Sequence, residues 1–268
     1  QLIQYVTYMM KEVKKEYDNV YVPLTGGWDS RCIGAICKKA DIPFTTYTEL
    51  RSKESHGVNF SKGDRELPKL VAETWNVEWE LLRYADKNDD RFQEIVKHSM
   101  GMIRNANLFT YAYDQYPEEK GSGIILHGSV WELSREFYGN SVSGNYKTVS
   151  GQEKNIQSWL GGMLDVSGVH RESIQIWMQD VQTKGPINMK WFDRFYYDQR
   201  LGCWLSDLNQ ALDLVTFDRI TPINNYEVIS ILMAYPEKMR KKGEHQKMII
   251  HMCTPEVDGI PVNPKPIG

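Results

Sequence analysis

A parallel α/β sheet followed by a mostly helical C-terminal part is the fold class that the sequence predicts. Three observations predict it. Short apolar runs at 19–24, 44–48, 77–82 and 123–126 have the length of strands and are bounded by turn residues. Between them, apolar residues recur at helical intervals, and strands separated by helices call for right-handed crossovers and parallel pairing. Beyond residue 130 the strand signal fades and helical periodicity takes over.

The elements follow in order. Residues 2–17 carry Leu2, Ile3, Val6, Met9, Met10 and Val13 among Lys and Glu at helix-like spacing. Asn19 to Leu24 reads as a buried strand in spite of Pro23 near its end. Ser30 to Ala40 is a helix with Ile33, Ile36 and Cys37 on one side, and Lys38 and Lys39 in the last turn suit its dipole. Phe44 to Thr48, β-branched and aromatic, is the second strand. A polar loop spans 50–63, and the regular part of the next helix is expected near Pro68, since proline suits a first turn, and ends at Trp75. Val77 to Leu82 alternates as the third strand; helices near 90–103 and 106–116 lead to the fourth, Gly123-Ile-Ile-Leu126.

The Ser-, Gly- and Asn-rich stretch 139–152 reads as a flexible or ligand-facing insertion. Helices are expected over 153–183, 188–213, 224–235 and 244–253, and the prolines after Ile260 keep the tail extended. The expected organisation is an α/β core over 1–138 and a helical part over 139–268 that packs on it and completes the active site, with one continuous domain as the alternative.

Composition narrows the function. At 41% hydrophobic and 25% charged, the 268 residues match an ordinary globular chain with enough material for a sizeable core. A net charge of -3 gives nothing global to attract phosphate backbones, so no nucleic-acid partner is expected. No apolar run approaches a membrane span, so no membrane partner is expected either. Cys32, Cys37, Cys203 and Cys253 form no C-x-x-C pair and His245 and His251 stand off one helical face, so neither a zinc site nor a disulfide framework is expected. A reducing cytoplasm is the expected compartment. The start at Gln1 lacks a basic, apolar leader, and a start without Met leaves upstream signals open.

The strongest chemical signal is the turn Leu24-Thr25-Gly26-Gly27-Trp28-Asp29-Ser30 between the first strand and first helix. Paired glycines let backbone N–H groups turn toward an oxyanion, and the helix that begins at Ser30 points its positive end the same way. Thr25 and Ser30 add hydroxyl donors. The Asp29 carboxylate would repel phosphate unless Mg²⁺ stood between them. Neither G-x-x-x-x-G-K-[ST] nor G-x-G-x-x-G occurs, so the usual NTPase and dinucleotide fingerprints do not apply. The competing account is purely architectural: a Gly-Gly turn before a Ser-capped helix occurs in many α/β proteins.

These residues resemble the S-G-G-x-D-S signature of the PP-loop ATP pyrophosphatases, with Thr25 in place of the leading Ser. Within that superfamily the chain is similar to the synthetase domain of the asparagine synthetases, an adenine nucleotide alpha hydrolase-like, Rossmann-like fold. Ile124-Ile-Leu-His-Gly-Ser-Val-Trp-Glu132 resembles the family's strand followed by S-G-E-G-x-D-E. Phe217-Asp-Arg-Ile-Thr-Pro-Ile-Asn-Asn225 resembles its E-x-R-x-P-F-L-D segment, with one extra residue before the Pro. Lys247-Met-Ile-Ile is similar to its late K-x-x-L helix, and Thr254-Pro-Glu with Ile260-Pro fits its closing pattern. The resemblance runs loosely from about residue 18 onward.

The resemblance implies roles. Thr25, Gly26, Gly27 and Ser30 would hold the phosphates of ATP, Asp29 would bind Mg²⁺, and Glu132 stands where the family has a second metal-binding Asp. Leu24, Tyr47, His127 and Gly128 match positions lining the adenosine pocket, and Lys247 matches a lysine that contacts the phosphates. The implied reaction is adenylation of a small-molecule carboxylate, with loss of pyrophosphate, followed by attack of ammonia or an amine. Arg135, Arg200 and Arg219 are candidate carboxylate or phosphate clamps.

Each residue has an ordinary competitor. His127 could be a satisfied strand-end histidine, Tyr47 a core residue and Lys247 part of a solvated basic face; Glu132 lies three residues before Arg135, at the spacing of a local ion pair. Two departures stand out. These residues include no glutaminase domain with a nucleophilic Cys, so free ammonia, another amine, a separate glutaminase or partner enzyme, or a domain upstream of Gln1 would supply nitrogen. Ser129 replaces the family's Glu and Trp131 crowds the acceptor position, which argues against aspartate as the acid. Two alternatives stay open: a PP-loop adenylating enzyme acting on a nucleobase or tRNA, and a degenerate nucleotide-binding module. The segments 50–63 and 139–152 are the expected lids.

Overall fold

The computed structural model describes residues 1–49, 62–82, 90, 122–160, 169–184, 189–206, 209 and 217–262. Its centre is a five-stranded, all-parallel sheet built from β1 (Asn19–Pro23), β2 (Thr45–Glu49), β3 (Trp79–Leu82), β4 (Gly123–Leu126) and β5 (Phe217–Ile220). The spatial order is β3-β2-β1-β4-β5. From β1 the chain therefore winds outward to β2 and β3, then returns to the other side of β1 for β4 and β5. That reversal opens a crevice at the carboxyl ends of β1 and β4, where ligands of open parallel sheets bind.

Sequence accounts for the register. The interior of β4 is fully apolar because a central parallel strand is covered on both faces. Pro23 is tolerated in β1 because the β1–β4 pairing runs from Asn19↔Gly123 to Tyr21↔Ile125 and stops short of it. β5 pairs Phe217↔Gly123 to Ile220↔Leu126 at the sheet edge.

Ten helices follow in chain order. They are α1 (Leu2–Lys14), α2 (Trp28–Lys39), α3 (Lys62–Trp75), α4 (Trp131–Ser134), α5 (Val149–Leu160), α6 (Val169–Lys184), α7 (Trp191–Phe195), α8 (Tyr226–Met233), α9 (Glu237–Lys241) and α10 (Glu244–Cys253) among the described residues. α7 continues as a π-helix over Tyr196–Leu205. α2 is the hub of the first unit: α1 and α10 both pack on it. Trp75 of α3, fully buried, lies over Gly34, where a Cβ would come within 2.5 Å of its ring. Arg31 of α2 is buried and donates from Nη1 to the Ile260 carbonyl at 2.9 Å and from Nη2 to that of Pro261 at 2.6 Å, fastening these two residues to α2. No helix among the described residues is long and apolar enough to cross a membrane.

The chain divides into two compact units, Gln1–Arg135 with Cys203–Gly268, and Glu136–Gly202. In this division residues 203 to 268 group with the sheet. The physical reasons are that β5 completes the sheet and α10 covers α2. The second unit is built around Ile156, Ile174, Met178 and Phe195. Trp159 there stacks on Tyr138 at 4.4 Å and on Trp191 at 5.3 Å between centroids. The stretch 139–152 is stitched to α5 of this unit. Asn155, itself buried, accepts from the Ser143 N–H at 2.8 Å and donates to the carbonyls of Ser143 and Gly151 at 2.9 and 2.7 Å.

Other expectations need adjustment. α3 starts at Lys62, not near Pro68, and carries Pro68 in its interior. The helical pattern expected over 153–183 is met by α5 and α6, and residues 161–168 lie outside the described residues. The helices expected near 90–103, apart from residue 90, and 106–116, and the loop at 50–63 apart from its last two residues, lie outside the described residues.

Candidate functional site

The glycine turn links β1 to α2 at the mouth of the crevice. Its hydroxyls satisfy its own amides. The Thr25 N–H donates to Ser30 Oγ at 3.0 Å, the Gly27 N–H donates to Thr25 Oγ1 at 3.2 Å, and the two hydroxyls lie 3.1 Å apart. Gly27 is the N-cap of α2, so the positive end of a twelve-residue helix opens onto the turn.

Across the crevice stands the exit of β4. Gly128 lies against the first turn of α2, where a Cβ would fall 2.8 Å from the carbonyl carbon of Asp29 and 2.9 Å from the Ser30 nitrogen. Only glycine allows this approach, because both near atoms are backbone. Gly128→Ala is expected to push β4's exit off α2 and lower stability by about 1–3 kcal/mol, the range for overpacking a tight contact. Urea denaturation of the variant would check it; an unchanged midpoint would contradict the packing described.

Asp29 is the most engaged side chain of the site. Its Oδ2 accepts from Arg135 Nη2 at 2.7 Å and its Oδ1 from Gln246 Nε2 at 2.5 Å. Burial, then the negative charge of Glu132, push its carboxyl up to about 6; the Arg135 charge and both hydrogen bonds pull the other way and are outweighed. Glu132 is thus close enough for its charge to act on Asp29. Arg135 bonds Asp29 across 106 positions of sequence, a contact the local Glu132–Arg135 spacing did not disclose.

The remaining predicted residues divide by role. Leu24 is fully buried and its backbone is tied to β2: its N–H donates to the Tyr47 carbonyl at 2.7 Å and its carbonyl accepts from Thr48 Oγ1 at 2.8 Å. Tyr47 packs with Tyr21, Leu82 and Ile125, and burial drives its hydroxyl well above the usual range. Both therefore act in the core beneath the site. His127 continues the β4–β5 ladder through its N–H to the Ile220 carbonyl at 2.8 Å, and its ring engages Ser129. Lys247 on α10 is exposed, 3.2 Å from Glu244 and 5.8 Å from the centre of the Trp28 ring, on the rim of the turn. Of the other clamp candidates, Arg219 lies in β5 with buried Nε and Nη2 that lack hydrogen-bond partners, and Arg200 sits over the Phe137 ring in the second unit.

Gln246 is the site residue that sequence reasoning missed. A glutamine on a helix face has no chemical signature of its own; its one clue was its place beside Lys247. His245, next in line, is a core histidine. Ser134 Oγ donates to the Trp131 carbonyl at 2.6 Å, so His245 Nε2, 2.6 Å away, must be the donor to that oxygen. Burial and the charges of Arg135 and Arg240 lower its pKa to about 4.

Asp29 and Glu132, like the Thr25 and Ser30 hydroxyls, are hard oxygen donors, and the Asp29 carboxyl is raised first by burial, with the Glu132 charge adding to it. That chemistry fits Mg²⁺, which commonly takes one or two carboxylates and completes its shell with phosphate and water. Among the described residues no group of three or more His, Cys, Asp and Glu side chains is gathered. A cation here would depend on phosphate oxygens for the rest of its ligands.

Fold and site together define an α/β protein with a candidate anion-binding crevice at the reversal point of a parallel sheet. Compared with known proteins, the chain matches no family model and no curated protein.

Proposed function

We propose that the chain is an ATP-dependent amide ligase that forms an acyl-adenylate from a small-molecule carboxylate and passes the acyl group to ammonia or an amine. The observation that carries this reading is the glycine turn, with its hydroxyls and the Asp29–Glu132 pair, at the crevice between β1 and β4. The Thr25 and Ser30 hydroxyls and the N-terminal amides of α2 bind the phosphate oxygens. The substrate carboxylate attacks the α-phosphorus and pyrophosphate departs, a step that needs positioning and charge compensation more than covalent catalysis. Mg²⁺, when bound at Asp29 and Glu132, supplies that compensation on the phosphates. Arg135, released from Asp29, and Lys247 at the rim add positive charge beside the departing pyrophosphate.

A second reading, a nucleotide-binding module without catalysis, is favoured by one observation: both oxygens of Asp29 are already held by Arg135 and Gln246. Exchange of labelled pyrophosphate into ATP, across a panel of carboxylic acids, separates the two. Exchange that depends on one class of acid is expected; ATP binding with no exchange under any acid would establish the module, and no ATP binding would remove both.

A further inference from the structure

The turn that leaves β4 holds a second constellation, formed by His127 and Ser129. The Ser129 backbone N–H donates to His127 Nδ1 at 3.0 Å. Nδ1 is therefore an unprotonated acceptor, and the ring carries its proton on Nε2. Ser129 Oγ lies 2.6 Å from the same Nδ1, so its own proton must point at that nitrogen. A serine hydroxyl whose proton is already directed at an imidazole base has the relation that activates serine nucleophiles. Burial, and the charge of Arg219, hold the His127 pKa well below its ordinary value, so the ring is neutral; the same surroundings weaken it as a base, and the pairing rests on the Ser129–His127 geometry.

The surrounding backbone fixes this pair. Ser129 follows a strand and precedes α4, and the next residue, Val130, has φ +82°, a region that β-branched residues rarely enter. Gly128 on the other side is pressed against α2, and His127 is pinned to β5. Strain of this kind persists only where neighbouring structure enforces it.

We propose that Ser129 is a nucleophile that takes up an acyl group, with His127 as its base. Oγ bonds to the carbonyl carbon of an activated acyl donor, an ester or acyl phosphate, and its proton passes to the lone pair of Nδ1, which gives up the hydrogen bond from the Ser129 N–H as it is protonated. The adduct collapses by breaking the bond to the leaving oxygen, which takes that proton from Nδ1, and an acyl ester remains on Ser129. Water or an amine then releases the acyl group with His127 again moving the proton.

The test uses the intact chain without nucleotide, so its outcome is independent of whether ATP exchange is observed. The probe is p-nitrophenyl acetate, read by intact mass and peptide mapping. One acetyl group on the peptide holding Ser129 is expected, and none there in Ser129→Ala. His127→Asn keeps an oxygen able to accept the Ser129 N–H but removes the base, and should slow labelling about 10²–10⁴-fold without altering the unfolding midpoint. Absence of acetyl on Ser129, or equal labelling rates in His127→Asn and the unaltered chain, would overturn the proposal.

Discussion

Asp29→Asn is expected to lower pyrophosphate exchange at least about 100-fold while leaving the protein as stable as the unaltered chain, or more so, at neutral pH. The two effects share one cause. Folding places Asp29 where burial and Glu132 raise its carboxyl from the ordinary 3.8 to about 6. The folded state thus holds this proton to higher pH than the unfolded state does. The contribution of Asp29 to stability is intact below about pH 4, falls as pH rises toward 6, and remains reduced above that. A shift of this size corresponds to roughly 3 kcal/mol at most. Asparagine mimics the protonated side chain, so the variant should lack the decline. Urea midpoints for both proteins at about pH 4 and pH 7 provide the check. Parallel pH dependence would show that the carboxylate is adequately compensated, and full exchange activity in the variant would remove its assigned role.

Trp131→Ala should destabilise the protein by about 3–5 kcal/mol, the usual loss for deleting a buried tryptophan side chain, and should not admit larger acids. From sequence, Trp131 crowds the acceptor position. In the structure it opens α4 and is fully buried, its ring 6.3 Å from that of His245. Its removal would leave a cavity beside the Ser134–His245 pair and loosen α10, which carries Gln246 and Lys247. Chemical denaturation would show the lost stability, and Trp131→Phe should recover much of it. A variant of unchanged stability that accepted a wider range of acids would show that the indole lines the crevice after all.

Residues with strong local physics were readable in advance. Gly123-Ile-Ile-Leu126 is a strand with the expected bounds because nothing but burial on both faces accounts for such a run. α10 begins and ends where its periodicity placed it. β5 was missed: as an edge strand with Asp218 and Arg219 at its middle, it has the polarity of a loop and gains its conformation from pairing with β4. α3 extends before Pro68, so the proline sits inside the helix, where a first-turn preference could not have placed it. At the site, the glycine turn was legible because its residue types are costly anywhere else. The Arg135–Asp29–Gln246 contacts were not, since they join three elements that only the tertiary fold brings together.

The divided first unit has a consequence for biosynthesis. β4 ends at Leu126 and its outer neighbour β5 begins only at Phe217, after the whole of Glu136–Gly202 has been translated. During that interval the hydrogen-bonding groups along the outer side of β4 have no strand to pair with, and such exposed apolar edges recruit other chains. The nascent polypeptide therefore passes through a stage in which prompt folding of the intervening unit, or chaperone cover, protects the sheet until its last strand emerges from the ribosome.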